Sequence, residues 1–181
     1  MKYLNLLVKP ASSLCNLKCK YCFYEDEASN RTLHSMGIMR EDLAETLIMQ
    51  AVEAAGPDGT INFAFQGGEP TMAGLAFFEH FAGMVHAYQT SGVNVTFSIQ
   101  TNGTLITDEW ARFLKRERFL VGLSLDGFRD THDAHRVDAN GHGTWRKVLT
   151  AKGLLEKHGV DYNALCVVTK HCAAHPERAY N

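Results

Sequence analysis

Patterns typical of strands and of helices alternate along the whole chain, and this alternation restricts the folds that the chain can adopt. Apolar or alternating runs predict five strands. They lie at residues 4–8, 61–65, 93–99, 119–125 and 162–168. With helix-like segments in the gaps, this order favours right-handed β-α-β units, a parallel sheet and an α/β fold. Functional loops are then expected at the carboxyl ends of the strands.

The gaps between the predicted strands carry helix signals. Apolar residues recur at helical spacing in three segments, 41–55, 77–88 and 144–158. Thr107 is a candidate N-terminal cap for a further helix. Residues 126–143 show no clear secondary structure, and a loop of this length suggests a role in binding. Residues 173–180 look like the start of another helix, and no closing strand follows, so residues 1–181 are expected to form one incomplete domain.

Length and charge narrow the classes of protein further. A chain of 181 residues is long enough to bury a core without disulfides or structural metals. Charged residues make up 21% and the net charge is -2, which gives no indication of a nucleic-acid or membrane-surface partner. Residues 1–10 lack the apolar run of a signal peptide, and no segment approaches the roughly 18 apolar residues of a membrane span. A cytoplasmic protein with reduced thiols is expected.

Three cysteines, Cys15, Cys19 and Cys22, follow the first predicted strand within eight residues. Their spacing does not suit disulfides, and three ligands are one fewer than usually saturate an iron-sulfur cluster or a structural zinc ion. The pattern therefore indicates a cluster with an open coordination position that a cofactor can occupy. The alternatives are zinc ligands or ordinary buried thiols, although no second pair of zinc ligands is evident. Cys166 and Cys172 have no assigned role.

Two glycines in the segment 67–70 follow the second predicted strand. Without a Cβ they allow a ligand to approach the backbone, and the backbone amides and carbonyls stay free to bind its polar ends. The alternative is an ordinary turn in which Glu69 caps the next helix.

Two polar residues follow later in the chain. Strand alternation places Ser124 on the face opposite Val121 and Leu123, which would be the inner face of a barrel. The alternative for Ser124 is a buried hydroxyl bonded to a backbone carbonyl. The guanidinium of Arg136 can bind a carboxylate through two parallel hydrogen bonds, and the alternative is a solvated surface arginine.

The segment 9–24, with its three cysteines and Tyr21, resembles the opening of anaerobic sulfatase-maturating enzymes of the radical S-adenosylmethionine (SAM) superfamily. Segments 65–70, 98–105 and 121–136 continue the likeness, which spans essentially the whole chain. The resemblance implies a partial (β/α)6 TIM-like radical SAM barrel, truncated after about the fifth strand. In such enzymes a 5'-deoxyadenosyl radical abstracts hydrogen from a sulfatase cysteine or serine, which becomes Cα-formylglycine.

The resemblance also assigns residues. It implies a 4Fe-4S cluster on the three cysteines, SAM against residues of four loops, and substrate contacts from three amide side chains. These are Cys15, Cys19 and Cys22 for the cluster, Tyr21, Gly67, Gly68, Glu69, Ser124 and Arg136 for SAM, and Gln66, Gln100 and Asn102 for the substrate. The general base and further clusters are expected beyond Asn181, so this chain alone is expected not to complete turnover.

The expected partners are a sulfatase polypeptide and a reduced flavodoxin- or ferredoxin-type electron donor, with no nucleic acid or membrane. Two other functions stay open from the sequence. One is a different radical SAM peptide-modifying enzyme of the SPASM type, which forms crosslinks or thioethers. The other is a non-catalytic iron-sulfur or zinc-binding module.

Overall fold

A computed structural model describes residues 2–90 and 92–180 of the protein. Met1, Ser91 and Asn181 lie outside the described residues. Met1 and Asn181 are the two limits of the predicted domain. Five strands form one parallel sheet in sequence order, each paired with the next along the chain. The strands are β1 Tyr3–Val8, β2 Thr60–Phe65, β3 Asn94–Thr101, β4 Leu120–Ser124 and β5 Tyr162–Leu165. The predicted α/β fold with a partial radical SAM-type parallel sheet is confirmed.

The helices fill the connections between the strands. They are α1 Phe23–Ser29, α2 Glu41–Ala55, α3 Leu75–Tyr88, α4 Asp108–Arg116, α5 Arg129–His135, α6 Trp145–His158, α7 Lys170–Ala173 and α8 Pro176–Tyr180. The predicted cap is confirmed, because the Oγ1 of Thr107 accepts a hydrogen bond from the backbone N of Trp110 at 3.3 Å. α6 ends at Gly159, whose φ of 64° is the left-handed conformation that favours glycine at this position. Among the described helices, none combines the length and hydropathy that a membrane span requires.

Three sequence-based expectations need correction. Residues 126–143 are not a plain loop, because they contain α5, a helix with too few apolar residues to show a helical period. β5 ends at Leu165 and not at residue 168, because the backbone N of Val167 turns away to bond the Oδ1 of Asp126 at 2.9 Å. The helix expected over 173–180 is interrupted: Ala173 is the last residue of α7, and Pro176 opens α8.

The hydrophobic core lies between one face of the sheet and the helices. Phe63 and Phe65 of β2 are buried there and pack edge-on against Phe81 of α3, with ring centroids 5.2 and 5.1 Å apart. The opposite face of the sheet mixes polar and apolar side chains: the Nδ2 of Asn62 donates to the Oδ1 of Asn5 at 2.9 Å, and Tyr3 and Leu7 are exposed. Because each crossover joins neighbouring parallel strands with the same hand, the helices cover one face of the sheet.

Candidate functional site

The loops at the carboxyl ends of the strands surround one cavity of about 430 Å³. This volume lies within the range of small-molecule sites, and the position matches the functional end of parallel β/α folds. The cavity lining includes every residue that the sequence assigned to a cluster, SAM or a substrate. They are Cys15, Cys19, Tyr21, Cys22, Gln66, Gly67, Gly68, Glu69, Gln100, Asn102, Ser124 and Arg136. Their individual binding roles stay predictions.

The cysteine loop connects β1 to α1. Cys22 is the residue immediately before α1, and its backbone N donates to the carbonyl of Cys19 at 3.1 Å, which closes the turn. Burial raises the pKa of the Cys15 thiol to about 11 and also raises the pKa of Cys19. Both side chains therefore hold a proton at neutral pH, and metal binding has to displace it.

The glycine loop packs directly on the cysteine loop. Gly68 has a φ of 56°, and a Cβ at this position would collide with the backbone carbonyl of Leu14. The next residue, Glu69, donates its backbone N–H to the same carbonyl at 2.7 Å. Gly67 has a φ of 100° and lies under the aliphatic part of Lys9. Backbone conformation favours glycine at both positions, and at Gly68 the close approach of the Leu14 backbone also requires it.

The Glu69 carboxylate is buried and joins the ends of β2 and β3. Its Oε1 accepts from the backbone N and Oγ1 of Thr71 at 3.1 and 2.6 Å and from the Oγ1 of Thr101 at 2.7 Å. Its Oε2 accepts from the backbone N of Asn102 at 2.7 Å. Burial raises the pKa of Glu69, while these donated hydrogen bonds act in the opposite direction. The carboxylate therefore bonds to other groups of the protein. The bond from the backbone N of Thr71 is the capping contact that the sequence offered as the alternative.

Arg136 is buried at the end of α5 and is paired with Asp126, just after β4. Its Nε donates to Oδ2 and its Nη2 to Oδ1, both at 3.1 Å, and the hydroxyl of Tyr21 also donates to Oδ2. Burial alone would raise the pKa of Asp126, but the hydrogen bonds and charge of Arg136 outweigh burial and lower it. The alternative of a solvated surface arginine is wrong, because only 7% of Arg136 is exposed.

Ser124 and Gln100 form a polar pair on the floor of the cavity. The Nε2 of Gln100 donates to the Oγ of Ser124 at 3.0 Å. Leu123, on the opposite face of β4, is fully buried in the core, which confirms the predicted alternation. The Ser124 hydroxyl thus bonds to the side chain of Gln100 at the cavity. The alternative considered from the sequence was a bond to a backbone carbonyl.

Residues 10–175 match the sequence profile of the Radical SAM superfamily. The chain belongs to the radical SAM superfamily. The matched range contains every residue that lines the cavity. The superfamily uses a 4Fe-4S cluster and SAM, so the two predicted cofactors are confirmed.

Relatives with described activities extend over the same region. The chain is 47% identical over 180 residues to a cysteine-type anaerobic sulfatase-maturating enzyme of Clostridium novyi (strain NT), covering 99% of this chain and 48% of that enzyme. It is 39% identical over 179 residues to a serine-type enzyme of Klebsiella aerogenes, covering 98% of this chain and 43% of the enzyme. A solved structure of native anSMEcpe with bound AdoMet and Cp18Cys peptide has a TM-score of 0.90 and 45% identity, covering 98% and 46%. The resemblance found from the sequence is confirmed, and the chain spans less than half of each relative.

The cavity of this radical SAM protein fits its cluster by the chemistry of the donors. Cys15, Cys19 and Cys22 lie on one loop, and all three line the cavity. A 4Fe-4S cluster takes cysteine thiolates as ligands, and three of them leave one position open for a cofactor. The three cysteines would therefore hold the cluster at this cavity.

Several residues in and beside the cavity of the radical SAM site were not anticipated from the sequence. Asp126 is fully buried against the lining residue Arg136, and no local pattern indicates this pair because it arises from the fold. Tyr24 lies two residues after Cys22, and the centroid of its ring is 4.8 Å from the Nζ of Lys9. Cys166 follows β5, and its Sγ is 3.9 Å from the Sγ of Cys172. The rule that strand ends carry functional loops would have included the residues after β5.

Proposed function

We propose that the protein is a radical SAM enzyme that oxidises a cysteine or serine side chain of a sulfatase polypeptide to Cα-formylglycine. The observation that carries this proposal is the single cavity that holds the three cysteines together with Gly68 and Arg136. Similarity to cysteine-type and serine-type sulfatase-maturating enzymes over nearly the whole chain supports the choice of substrate.

In this proposal, Cys15, Cys19 and Cys22 hold the cluster and leave one iron for SAM. Bound together, the two cofactors supply the one-electron cleavage of SAM and the hydrogen abstraction that follows from it. The backbone polar groups beside Gly68 would bind the ammonium group of SAM. Asp126 holds Arg136 by Nε and Nη2, and the guanidinium would offer its other N–H groups to the SAM carboxylate.

The polar pair of Gln100 and Ser124 orients groups on the cavity floor, and Gln66 adds a further amide at the rim. Amide side chains donate and accept hydrogen bonds, which suits a peptide backbone as their partner. We propose that Gln66 and Gln100 position the substrate segment. We also propose a reduced flavodoxin- or ferredoxin-type protein as electron source and the cytoplasm as location, where thiols stay reduced.

The test is anaerobic reconstitution of the protein in its full length, including the part expected beyond Asn181, with iron and sulfide, followed by reduction with dithionite in the presence of SAM and a sulfatase peptide. Chromatography measures 5'-deoxyadenosine, and mass spectrometry measures the conversion of the peptide cysteine or serine to formylglycine. The control is the variant with Cys15, Cys19 and Cys22 all changed to Ala, which should form neither product. Absence of 5'-deoxyadenosine would remove the radical SAM activity, and 5'-deoxyadenosine without formylglycine would remove the sulfatase substrate.

A further inference from the structure

The side chain of Asn102 is held in one orientation at the end of β3. Its Oδ1 accepts hydrogen bonds from the backbone N and from the Oγ1 of Thr104, at 2.9 and 2.7 Å. Its backbone N–H is held by Glu69 at 2.7 Å. Because the oxygen faces two donors, the Nδ2 group must occupy the other side of the amide.

The Nδ2 group of Asn102 faces the cysteine loop. It donates to the Oδ1 of Asn16 at 2.9 Å, and it lies 4.0 Å from the Sγ of Cys15. Asn16 in turn donates its Nδ2 to the Oγ1 of Thr104 at 2.8 Å, which closes a ring of three side chains. The Sγ of Cys15 also accepts from the backbone N of Leu17 at 3.4 Å. Two N–H groups are thus directed at this one sulfur.

A nitrogen–sulfur distance of 4.0 Å is long for a neutral thiol. The interaction between the amide and the sulfur is stronger when the sulfur is a thiolate. In a half-buried loop the amide dipole then acts on a full charge through a medium of low polarity. N–H groups directed at cysteine sulfurs stabilise the more negative, reduced form of an iron-sulfur cluster. The protein groups around the ligands tune a metal site in this way without touching the metal.

We propose that Asn102 is a positioning residue that raises the reduction potential of the cluster by directing its Nδ2–H at the Cys15 thiolate. This role differs from the substrate contact expected from the sequence, and it rests on the proposed function because it requires Cys15 to be a cluster ligand. Thr104 and Asn16 fix the amide so that its nitrogen, and not its oxygen, meets the sulfur. A higher potential makes the one-electron reduction of the cluster by the donor more favourable.

The test is a redox titration of the reconstituted protein, in which electron paramagnetic resonance reports the reduced cluster. Asn102→Asp keeps the shape of the side chain and replaces the N–H donor with an oxygen, and Asn102→Ala removes both groups. Both variants should titrate at a more negative midpoint potential than the unmodified protein. Asn62→Asp is the matched control, because it makes the same change on the other face of the sheet, where the Nδ2 of Asn62 donates to Asn5 and not to a cysteine. Its midpoint should stay at the unmodified value.

The outcomes separate this role from the proposed function. If the unmodified protein assembles no cluster, the cysteine assignment fails and this inference fails with it. If the cluster assembles and both Asn102 variants titrate at the unmodified potential, only the role of Asn102 is overturned. A shift in Asn62→Asp as large as that in Asn102→Asp would also overturn it, since the potential would then depend on added charge and not on the amide beside the sulfur.

Discussion

Arg136 and Asp126 form a two-bond ion pair in which both nitrogen–oxygen distances are 3.1 Å. The carboxylate is fully buried and the guanidinium nearly so. The pair connects the end of α5 to the end of β4, and Tyr21 reaches the same carboxylate from the cysteine loop. One ion pair therefore joins the predicted SAM-binding loops to the predicted cluster loop.

The first prediction is that Asp126→Asn strongly lowers the free energy of unfolding. The change leaves the buried charge of Arg136 without its partner, which typically costs about 3–5 kcal/mol. The control is Glu25→Gln, which removes an exposed ion pair with Lys18 and should cost no more than about 1 kcal/mol. Urea denaturation of both variants gives the comparison, and equal losses would show that the Asp126 pair is not shielded from water.

Much of this fold could be predicted because its signals are local. Alternation identifies each strand, glycines mark the helix ends, and the handedness of β-α-β units brings the strand ends to one edge. That rule was enough to place Cys15, Gly68 and Ser124 at one cavity. The alternation around Ser124 even gave the face of β4 that the serine occupies.

The remaining features depend on contacts that no local pattern contains. α5 buries mainly Thr131 and His132, so it has no apolar period that a sequence pattern could reveal. Arg136 follows it, and only the fold shows that the guanidinium meets Asp126. The contact of Asn102 with Cys15 joins residues from two loops that are far apart in the sequence.

A second prediction concerns the contact between the glycine and cysteine loops. Gly68→Ala should lower both stability and the iron bound after reconstitution, because its Cβ would meet the carbonyl of Leu14 and displace the cysteine loop. Gly153→Ala is the matched control, since Gly153 lies inside α6 with no atom within 4 Å of an added Cβ. It should be stabilising by about 0.5–1 kcal/mol. Iron assays and urea denaturation decide the matter, and unchanged iron content in Gly68→Ala would contradict the prediction.

The third prediction is that Glu69→Gln loosens the end of β3. An amide has one acceptor oxygen, so one buried donor among Thr71, Thr101 and Asn102 loses its partner, at a cost of about 1–3 kcal/mol. Hydrogen exchange at the backbone amide of Asn102 should become faster. Glu53→Gln, at an exposed position of α2, is the control and should leave exchange unchanged. If Asn102 exchanged at the unmodified rate and stability were kept, Glu69 would not be holding the two strand ends together.

The fourth prediction is a loss of stability on mild acidification that depends on His132. This ring is fully buried, with Nδ1 accepting from the backbone N of Asp126 at 3.3 Å and Nε2 3.1 Å from the Oγ1 of Thr144. The Thr144 hydroxyl donates to the carbonyl of Arg136, so it accepts from Nε2–H and the ring is neutral. Burial and then the charge of Arg136 lower the pKa of His132 to about 4.

The sign of the pH effect follows from this lowered pKa of His132. The unfolded chain binds the proton near its ordinary pKa of about 6.5 and the folded chain does not, so stability falls as pH decreases between these values. The expected loss is on the order of 3 kcal/mol, since each pKa unit corresponds to about 1.4 kcal/mol. The pKa of Asp126 is also lowered, so the stability that its carboxylate supplies is lost only below its unfolded pKa of about 4. The loss of stability above that pH is therefore assigned to His132. Urea denaturation at about pH 7 and about pH 4.5 measures the free energy of unfolding at each pH. The decrease between the two should be smaller for His132→Gln than for the unmodified protein, because all other titrating groups are common to both. An identical pH dependence in the two proteins would show that His132 is already protonated in the fold, against the hydrogen bonds that its ring makes.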